Sequence, residues 1–370
     1  MKIAVVGIGG TGSAALRFLA RAGHDVTGFE QFEVGHTFGS SHGHSRIIRY
    51  TYPDNLYTAM MADAYPLWAE LEQAAEAKLF ERCGGVYFGP RDDAKVQATE
   101  ASLIENGLPY EKLDADAVHE RAPALQLRPD EVALFQSESG FLRSTQCVLA
   151  NARLATTHGA TLHENTAVRH IEARGAHVLV GTDTSEEVFD RVIVTAGAWM
   201  QGLFADLHLP LRVTRQEIVY LRIAQHSKYF EPGILPVWID AGEGYYGFPD
   251  DGQIEGVKFA AHTLGEETDP EAVRRERDET IIARAVDYAS IRLPDLSSTV
   301  TYSQVCLYTN TPDEDFIIDQ APNAPHVWLV SGCSGHGFKF TVLLGHIAAT
   351  LATDGIYARD LSRFSLARFH

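Results

Sequence analysis

The sequence predicts an α/β protein in which a Rossmann-like, dinucleotide-binding domain carries an inserted α+β domain, a mixed-sheet substrate-binding unit. Three observations predict it. A strand, a Gly-x-Gly-x-x-Gly turn, a helix and a second strand follow one another within the first 30 residues. A strand, glycine-rich turn and helix of the same grammar return near residue 330, and the intervening chain contains a long stretch of β-branched and aromatic segments. The 370 residues suffice for a large core and about two domains.

In chain order, apolar residues 3–6 read as a strand, Gly7-Ile8-Gly9-Gly10-Thr11-Gly12 as the turn, 14–22 as the helix and 26–29 as the second strand, which makes one βαβ unit. Residues 56–77 have helical composition, and Gly85-Val86-Tyr87-Phe88 is strand-like. Ser144 is placed to cap a helix over 145–157 that stops near Gly159. Alternating residues at 168–171, 177–180 and 191–194 predict three strands. Between 211 and 305, strand-like 216–223 and 244–248 accompany one long charged helix over 270–289. Residues 327–330 then form a strand, 332–337 a glycine-rich turn and 341–351 a helix. This order divides the chain into a discontinuous nucleotide domain of residues 1–80, 145–210 and 312–370 and a substrate domain of 81–144 and 211–311. No short-period repeat or low-complexity tract interrupts it.

Composition narrows the function classes. With 45% hydrophobic and 22% charged residues the chain is neither disordered nor a disulfide scaffold. A formal charge of -18 argues against nucleic acid or an anionic membrane as partner, since both would repel it; its first use is solubility. Cys83, Cys147, Cys306 and Cys333 form no Cys-x-x-Cys pair and do not sit with histidine at zinc-ligand spacing, so no metal is expected. The chain opens directly on a strand, its apolar runs stay below membrane-spanning length, and Ala367-Arg368-Phe369-His370 is not a peroxisomal address. A reducing cytoplasm is the expected location.

Gly7, Gly9 and Gly12 are the three glycines of the dinucleotide fingerprint: one for the turn, one for close approach of a pyrophosphate, one for helix–strand packing. Glu30 closes the second strand 18 residues after Gly12, where a carboxylate can accept from ribose hydroxyls. The fingerprint alone does not separate FAD from NAD. No second one follows a strand and opens a helix, so a flavin fed directly by substrate is favoured over a flavin reductase fed by a nicotinamide.

Five further segments carry a family likeness: Gly39-Ser40-Ser41-His42-Gly43-His44-Ser45-Arg46-Ile47-Ile48-Arg49, Gly244-Tyr245-Tyr246-Gly247-Phe248-Pro249, Cys306-Leu307-Tyr308, Pro312-Asp313-Glu314-Asp315-Phe316-Ile317-Ile318-Asp319 and Ser334-Gly335-His336-Gly337-Phe338-Lys339-Phe340. Together they resemble the monomeric sarcosine oxidase and N-methyltryptophan oxidase family, essentially end to end. Ser139-Gly140-Phe141-Leu142-Arg143-Ser144 and residues 365–369 lean toward the N-methyltryptophan branch.

The resemblance implies roles for particular residues. Cys306 stands where the family tethers FAD through a thioether, although a lone cysteine among apolar residues is otherwise a small core residue. Arg49 and Lys339 match the substrate-carboxylate pair, and both donate to an anion; without the family, surface solvation is their usual fate. Lys258 matches the lysine over the flavin ring, where a fixed cation assists electron transfer to oxygen. Tyr246 and His262 match positions lining the substrate cavity, neither as an obligatory base; unaided, both would be read as core residues. His42, Ser45 and Arg46 match positions near the flavin. Val168 falls where adenine is contacted, Ala196, Gly197 and Trp199 form a second cofactor turn, and Gly332, Gly335, Gly337 and Phe338 with Lys339 form a third beside a helix N-terminus. The family commonly reads Gly-Ser-His-His-Gly-Asp-Thr-Arg where this chain has Ser41 for the first histidine, His44 for the aspartate and Ser45 for the threonine. Flavin potential is therefore expected to differ.

The implied activity is oxidation of an N-methyl or other secondary amino acid by hydride transfer to FAD, with imine hydrolysis and reduction of oxygen to hydrogen peroxide, in a monomer. Trp238 is a candidate for setting pocket size or a core tryptophan. Pipecolate, proline-like or sugar-adducted amino acids are alternative substrates, and a flavin-binding sensor without turnover is the alternative outside enzymes.

Overall fold

The computed structural model describes residues 1–369; His370, the last residue of the C-terminal tetrapeptide, lies outside the described residues. A six-stranded sheet runs in the order Ile317–Ala321, Ala324–Ser331, Arg191–Val194, Lys2–Val6, Asp25–Phe29, Thr161–His163. All neighbours are parallel except the edge hairpin Ile317–Ala321/Ala324–Ser331. Successive side chains point to opposite faces, and both faces are covered. Ile3, Val5 and Ile193 enter a core shared with the helices Gly10–Arg21, Ser144–Thr157 and Thr341–Asp354, whereas Ala4, Val6, Val192 and Val194 enter one shared with the antiparallel strands Val168–Arg174, His177–Thr182 and Glu186–Phe189.

Glycines set the closeness of this packing. A Cβ on Gly12 would stand 1.9 Å from the Gly7 carbonyl oxygen and 2.4 Å from Thr195 Oγ1, so the first helix could not lie so near the first strand with any larger residue.

A nine-stranded sheet forms the second layer. Its path runs Glu266–Glu267, Arg212–Ile223, Val257–Ala261, Tyr245–Gly247, Val237–Asp240, Gly85–Pro90, Glu131–Gln136, Glu111–Leu113, with Leu296–Asn310 also pairing to Arg212–Ile223. Its one parallel junction joins Val237–Asp240 to Gly85–Pro90. Val219 and Phe259 face the helix Glu279–Arg292, with Ile282 and Tyr288 in the same core. The alternate residues Gln216, Ile218 and Tyr220 face the other way, beside their partners Cys306 and Lys258. Period two thus puts Cys306, Tyr308, Lys258 and the Ala260–Tyr246 pair on a single face.

The sequence reading does not anticipate a third sheet of Arg46–Ile48, Gly140–Leu142 and Phe80–Arg82. It lies between the layers: Ile48, Phe80 and Leu142 join the helical core, and Ile47 and Phe141 pack with Val237 and Phe248. Three local expectations change. The charged helix begins at Glu279, not at 270, because the Asp278 side chain caps it by accepting from Thr280 N and Ile281 N, while Arg215 ties the preceding loop by donating to the Arg274 and Glu276 carbonyls. Ser144 is the first helical residue, not a cap; its hydroxyl donates to the Gly43 carbonyl at 2.8 Å. Trp238 is fully buried against Tyr288 and Phe259, which makes it a core residue and not a pocket wall.

Candidate active site

A cavity of 690 Å³ lies between the two large sheets, at the carboxyl ends of the parallel strands. Gly7, Gly9, Glu30, Ser41, Arg46, Arg49, Val168, Ala196, Gly197, Trp199, Tyr246, His262, Cys306, Gly332, Gly335, Gly337, Phe338 and Lys339 all line it. Four predicted site residues stand outside the wall: Gly12, which packs the helix, and His42, Ser45 and Lys258, which form a buried group behind Arg46.

At the nucleotide end Gly7 adopts φ +86, turning the chain from strand to helix. The buried Glu30 carboxylate accepts from Ile8 N at 2.8 Å and Phe32 N at 3.2 Å, and burial raises its pKa despite these bonds. Ser41 Oγ accepts from Gly10 N at 2.9 Å. Trp199 packs on Phe32, and its Nε1 is buried without a partner.

The loop after Glu30 supplies the middle of the site. Arg46 donates to the carbonyls of Ser45 and Ser40, both at 3.0 Å. Lys258 Nζ donates to Ser45 O at 2.6 Å and Oγ at 3.1 Å and lies 4.4 Å from the Phe248 ring centroid. Burial, then Arg46, hold its pKa well below the usual lysine range. Burial, Arg46 and Lys258 push His42 down to about 3, so its imidazole is neutral; neither ring nitrogen has a partner. Buried unpaired polar atoms of this kind are rare unless something outside the chain completes them.

At the other end Arg49 lies over the Tyr52 ring at 4.2 Å and the Tyr87 ring at 5.5 Å, and donates to Thr51 Oγ1 at 3.3 Å. Lys339 Nζ donates to the Tyr52 hydroxyl at 3.0 Å and to the His336 carbonyl at 2.8 Å. Burial and then Arg49 lower its pKa strongly. Among the described residues, Arg46, Arg49, Lys258 and Lys339 have no carboxylate within ion-pair distance. The Tyr246 and Tyr308 hydroxyls are 3.4 Å apart, and His262 sits 5.8 Å from the Tyr308 ring and 6.5 Å from that of Tyr246. His262 presents its surface to the cavity but lies deep among protein atoms, and desolvation with Lys339 and Arg49 lowers its pKa to about 4. The buried Cys306 thiol is raised by desolvation, opposed by Arg46 and Lys258.

Three residues of the site were not singled out as functional from sequence: Tyr52, Tyr308 and His336. Tyr308 was readable from its position two residues after Cys306 on the same strand face. His336 lies within the glycine turn and Tyr52 three residues after Arg49, but only the fold brings them together. Gly335, at φ +75, admits this arrangement; its Cβ would stand 2.2 Å from the Tyr308 ring.

Residues 2–351 match the family described as FAD dependent oxidoreductase. The chain belongs to this family. It is 35% identical over 372 residues to monomeric sarcosine oxidase of Streptomyces avermitilis, covering 99% of this chain and 97% of the relative. It is 33% identical over 371 residues to N-methyl-L-tryptophan oxidase of Yersinia pestis, with 99% and 98% covered. The solved structure of NikD, an unusual amino acid oxidase essential for nikkomycin biosynthesis, shares the fold at a TM-score of 0.87 and 24% identity, with 98% of this chain and 96% of that chain covered.

The site fits the cofactor of the FAD dependent oxidoreductases. Gly7 to Gly12 and the N-terminus of the Gly10–Arg21 helix offer amides for a pyrophosphate, Glu30 closes the neighbouring strand, and the unpaired Nε1 of Trp199 lies on a residue that lines the same trough. No helix among the described residues is long and apolar enough to cross a membrane.

Proposed function

We propose that this family member is a monomeric oxidase of N-methyl or other secondary amino acids that uses FAD and oxygen and yields hydrogen peroxide. The observation that carries the reading is the Arg49–Lys339 pair: two basic side chains without carboxylate partners among the described residues, lining one cavity with Tyr246, Tyr308 and His262, in a chain of net charge -18. Such a pair is suited to a carboxylate. At an effective dielectric near 20, one charge pair at about 4 Å interacts by roughly 4 kcal/mol before desolvation.

FAD, when bound, supplies the acceptor for a hydride and passes the electrons to oxygen. The chain's own residues do the rest. Arg49 and Lys339 hold the substrate carboxylate, which fixes the amine-bearing carbon relative to the trough. Neutral His262 and the Tyr246 and Tyr308 hydroxyls offer acceptors without a countercharge for an ammonium, so proton loss from the amine to solvent is favoured and the nitrogen lone pair becomes available. Lys258, held by Ser45 behind the cavity wall, would supply positive charge to the reaction with oxygen. Cys306 is the candidate tether, on the sheet face that borders the cavity. The division into residues 1–80, 145–210 and 312–370 against 81–144 and 211–311 is supported by the membership of the two large sheets.

Anaerobic mixing with a panel of N-methyl, cyclic and sugar-adducted amino acids tests the proposal. An N-methyl or other secondary amino acid is expected to bleach the flavin absorbance and, in air, to release peroxide. A panel in which no amine bleaches the flavin would rule the oxidase out and favour a binding protein without turnover. Acid denaturation should leave the yellow colour with the protein; complete release into the supernatant would remove the Cys306 tether.

A further inference from the structure

An ammonium has three hydrogens to place. Lys339 gives one to the Tyr52 hydroxyl and one to the His336 carbonyl, which leaves one for a ligand. Tyr52, accepting from Lys339, has its own hydrogen to donate; His336 Nδ1 lies 3.3 Å away and the His336 carbonyl, already taken by Lys339, 3.5 Å away, so Nδ1 is the nearer and the free acceptor. The other ring nitrogen of His336 lies 3.0 Å from the Glu314 carbonyl, which can only accept. The proton is therefore assigned to Nε2, and Nδ1 is the bare acceptor that Tyr52 needs. Burial and Lys339 hold this imidazole neutral, with a pKa of about 3, which keeps the tautomer intact across the neutral range. With Lys339 protonated, as a bound carboxylate favours, the chain runs Lys339 to Tyr52, Tyr52 to His336, His336 to Glu314.

Tyr52 also carries the second cation, since the Arg49 guanidinium lies 4.2 Å from the centroid of its ring. One buried side chain thus meets Arg49 with its face and Lys339 with its hydroxyl. The two cations repel one another, and Tyr52 is the side chain that both of them meet. We infer that Tyr52, with its hydroxyl oriented by His336, is the positioning residue that aims Arg49 and Lys339 at one carboxylate. This rests on the reading that the pair binds the substrate carboxylate.

The test uses the flavin-loaded protein, with propionate as a probe that has a carboxylate and no amine, its binding followed by the change in flavin absorbance. Tyr52→Phe keeps the ring beneath Arg49 and removes the hydroxyl; propionate Kd and substrate KM should rise about tenfold, with kcat within about twofold and flavin content unchanged. His336→Leu should reproduce this effect. His336→Asn, which keeps an acceptor near the Nδ1 position, should restore most of the affinity. The Tyr52→Phe/His336→Leu double variant should be no weaker than either single one, because both break the same chain. Lys339→Met separates the two claims. If it leaves propionate binding unchanged, the carboxylate-pair reading fails. If it weakens binding while Tyr52→Phe, or His336→Leu should Tyr52→Phe not fold, binds propionate normally, the positioning role is overturned. Additive losses in the double variant, or equal affinity in His336→Asn and His336→Leu, also overturn it.

Discussion

A buried cation is costly unless something answers its charge, and Lys258 and Lys339 are both almost fully buried with no carboxylate partner among the described residues. Their carbonyl and hydroxyl partners disperse the charge but do not cancel it. Lys258→Met is expected to slow the reaction of the reduced enzyme with oxygen by about a hundredfold, while anaerobic reduction by substrate changes by less than about threefold. Stopped-flow measurement of the two half-reactions decides this, and equal effects on both would contradict the role. Arg49→Lys keeps the charge and loses the fork; KM should rise by about tenfold or more with a smaller change in kcat. Arg49 and Lys339 were legible because each sits in a short segment with a recognisable neighbourhood, and both line the cavity; Lys258 lies outside those segments and behind the wall. The unpaired nitrogens of His42 were not legible, since a sequence does not show that a histidine is enclosed without partners.

Strands and helices carry the next level of argument. The βαβ opening was legible because its elements are contiguous and its glycines have a steric reason. The small sheet between the layers was not: its strands come from residues 46–48, 80–82 and 140–142, each three residues long, too short for periodicity to register. The late start of the charged helix depends on Asp278 and on Arg215, 63 positions earlier, and composition cannot distinguish that loop from the helix it precedes. The glycine-rich turn offers a direct experiment. Gly335→Ala would drive a Cβ into the Tyr308 ring at a backbone angle that L-residues disfavour, so either the turn or Tyr308 must move. A lower melting temperature together with an altered flavin spectrum is expected. A variant with wild-type spectrum and substrate KM would show that the turn tolerates displacement.

For the molecule as a whole, charge and burial together set the response to acid. His42 and His336 are held near 3, His36 and His262 near 4, each first by burial. In the unfolded chain these groups protonate near 6.5. Their folded pKa values are depressed, so their contribution to stability is complete above 6.5 and declines as pH falls toward 3 to 4. Glu30 and Asp240, with raised pKa values, act in the opposite direction at the acidic end of that range. The melting temperature should therefore be flat above about pH 7 and fall between 6.5 and 5, with proton uptake on unfolding. A melting temperature that is constant or rises over that interval would show that these histidines are not held neutral. The two-layer plan was readable from the order of segments; the cavity between them was not, because it depends on contacts such as Lys258 with Ser45 and Lys339 with Tyr52, 213 and 287 residues apart.

The position of the Ala324–Ser331 strand has a consequence for synthesis. It lies inside the parallel sheet, between Arg191–Val194 and the edge strand, although it is the last strand in the chain. A nascent polypeptide leaving the ribosome could assemble its opening βαβ unit early, but it could not complete the sheet, the Gly332–Gly337 turn or the Lys339 contact until more than 330 residues had been made. The nine-stranded sheet, whose last strand ends at Asn310, would be finished before the cradle's final wall is made. A complete cofactor cradle therefore requires both ends of the described chain at once.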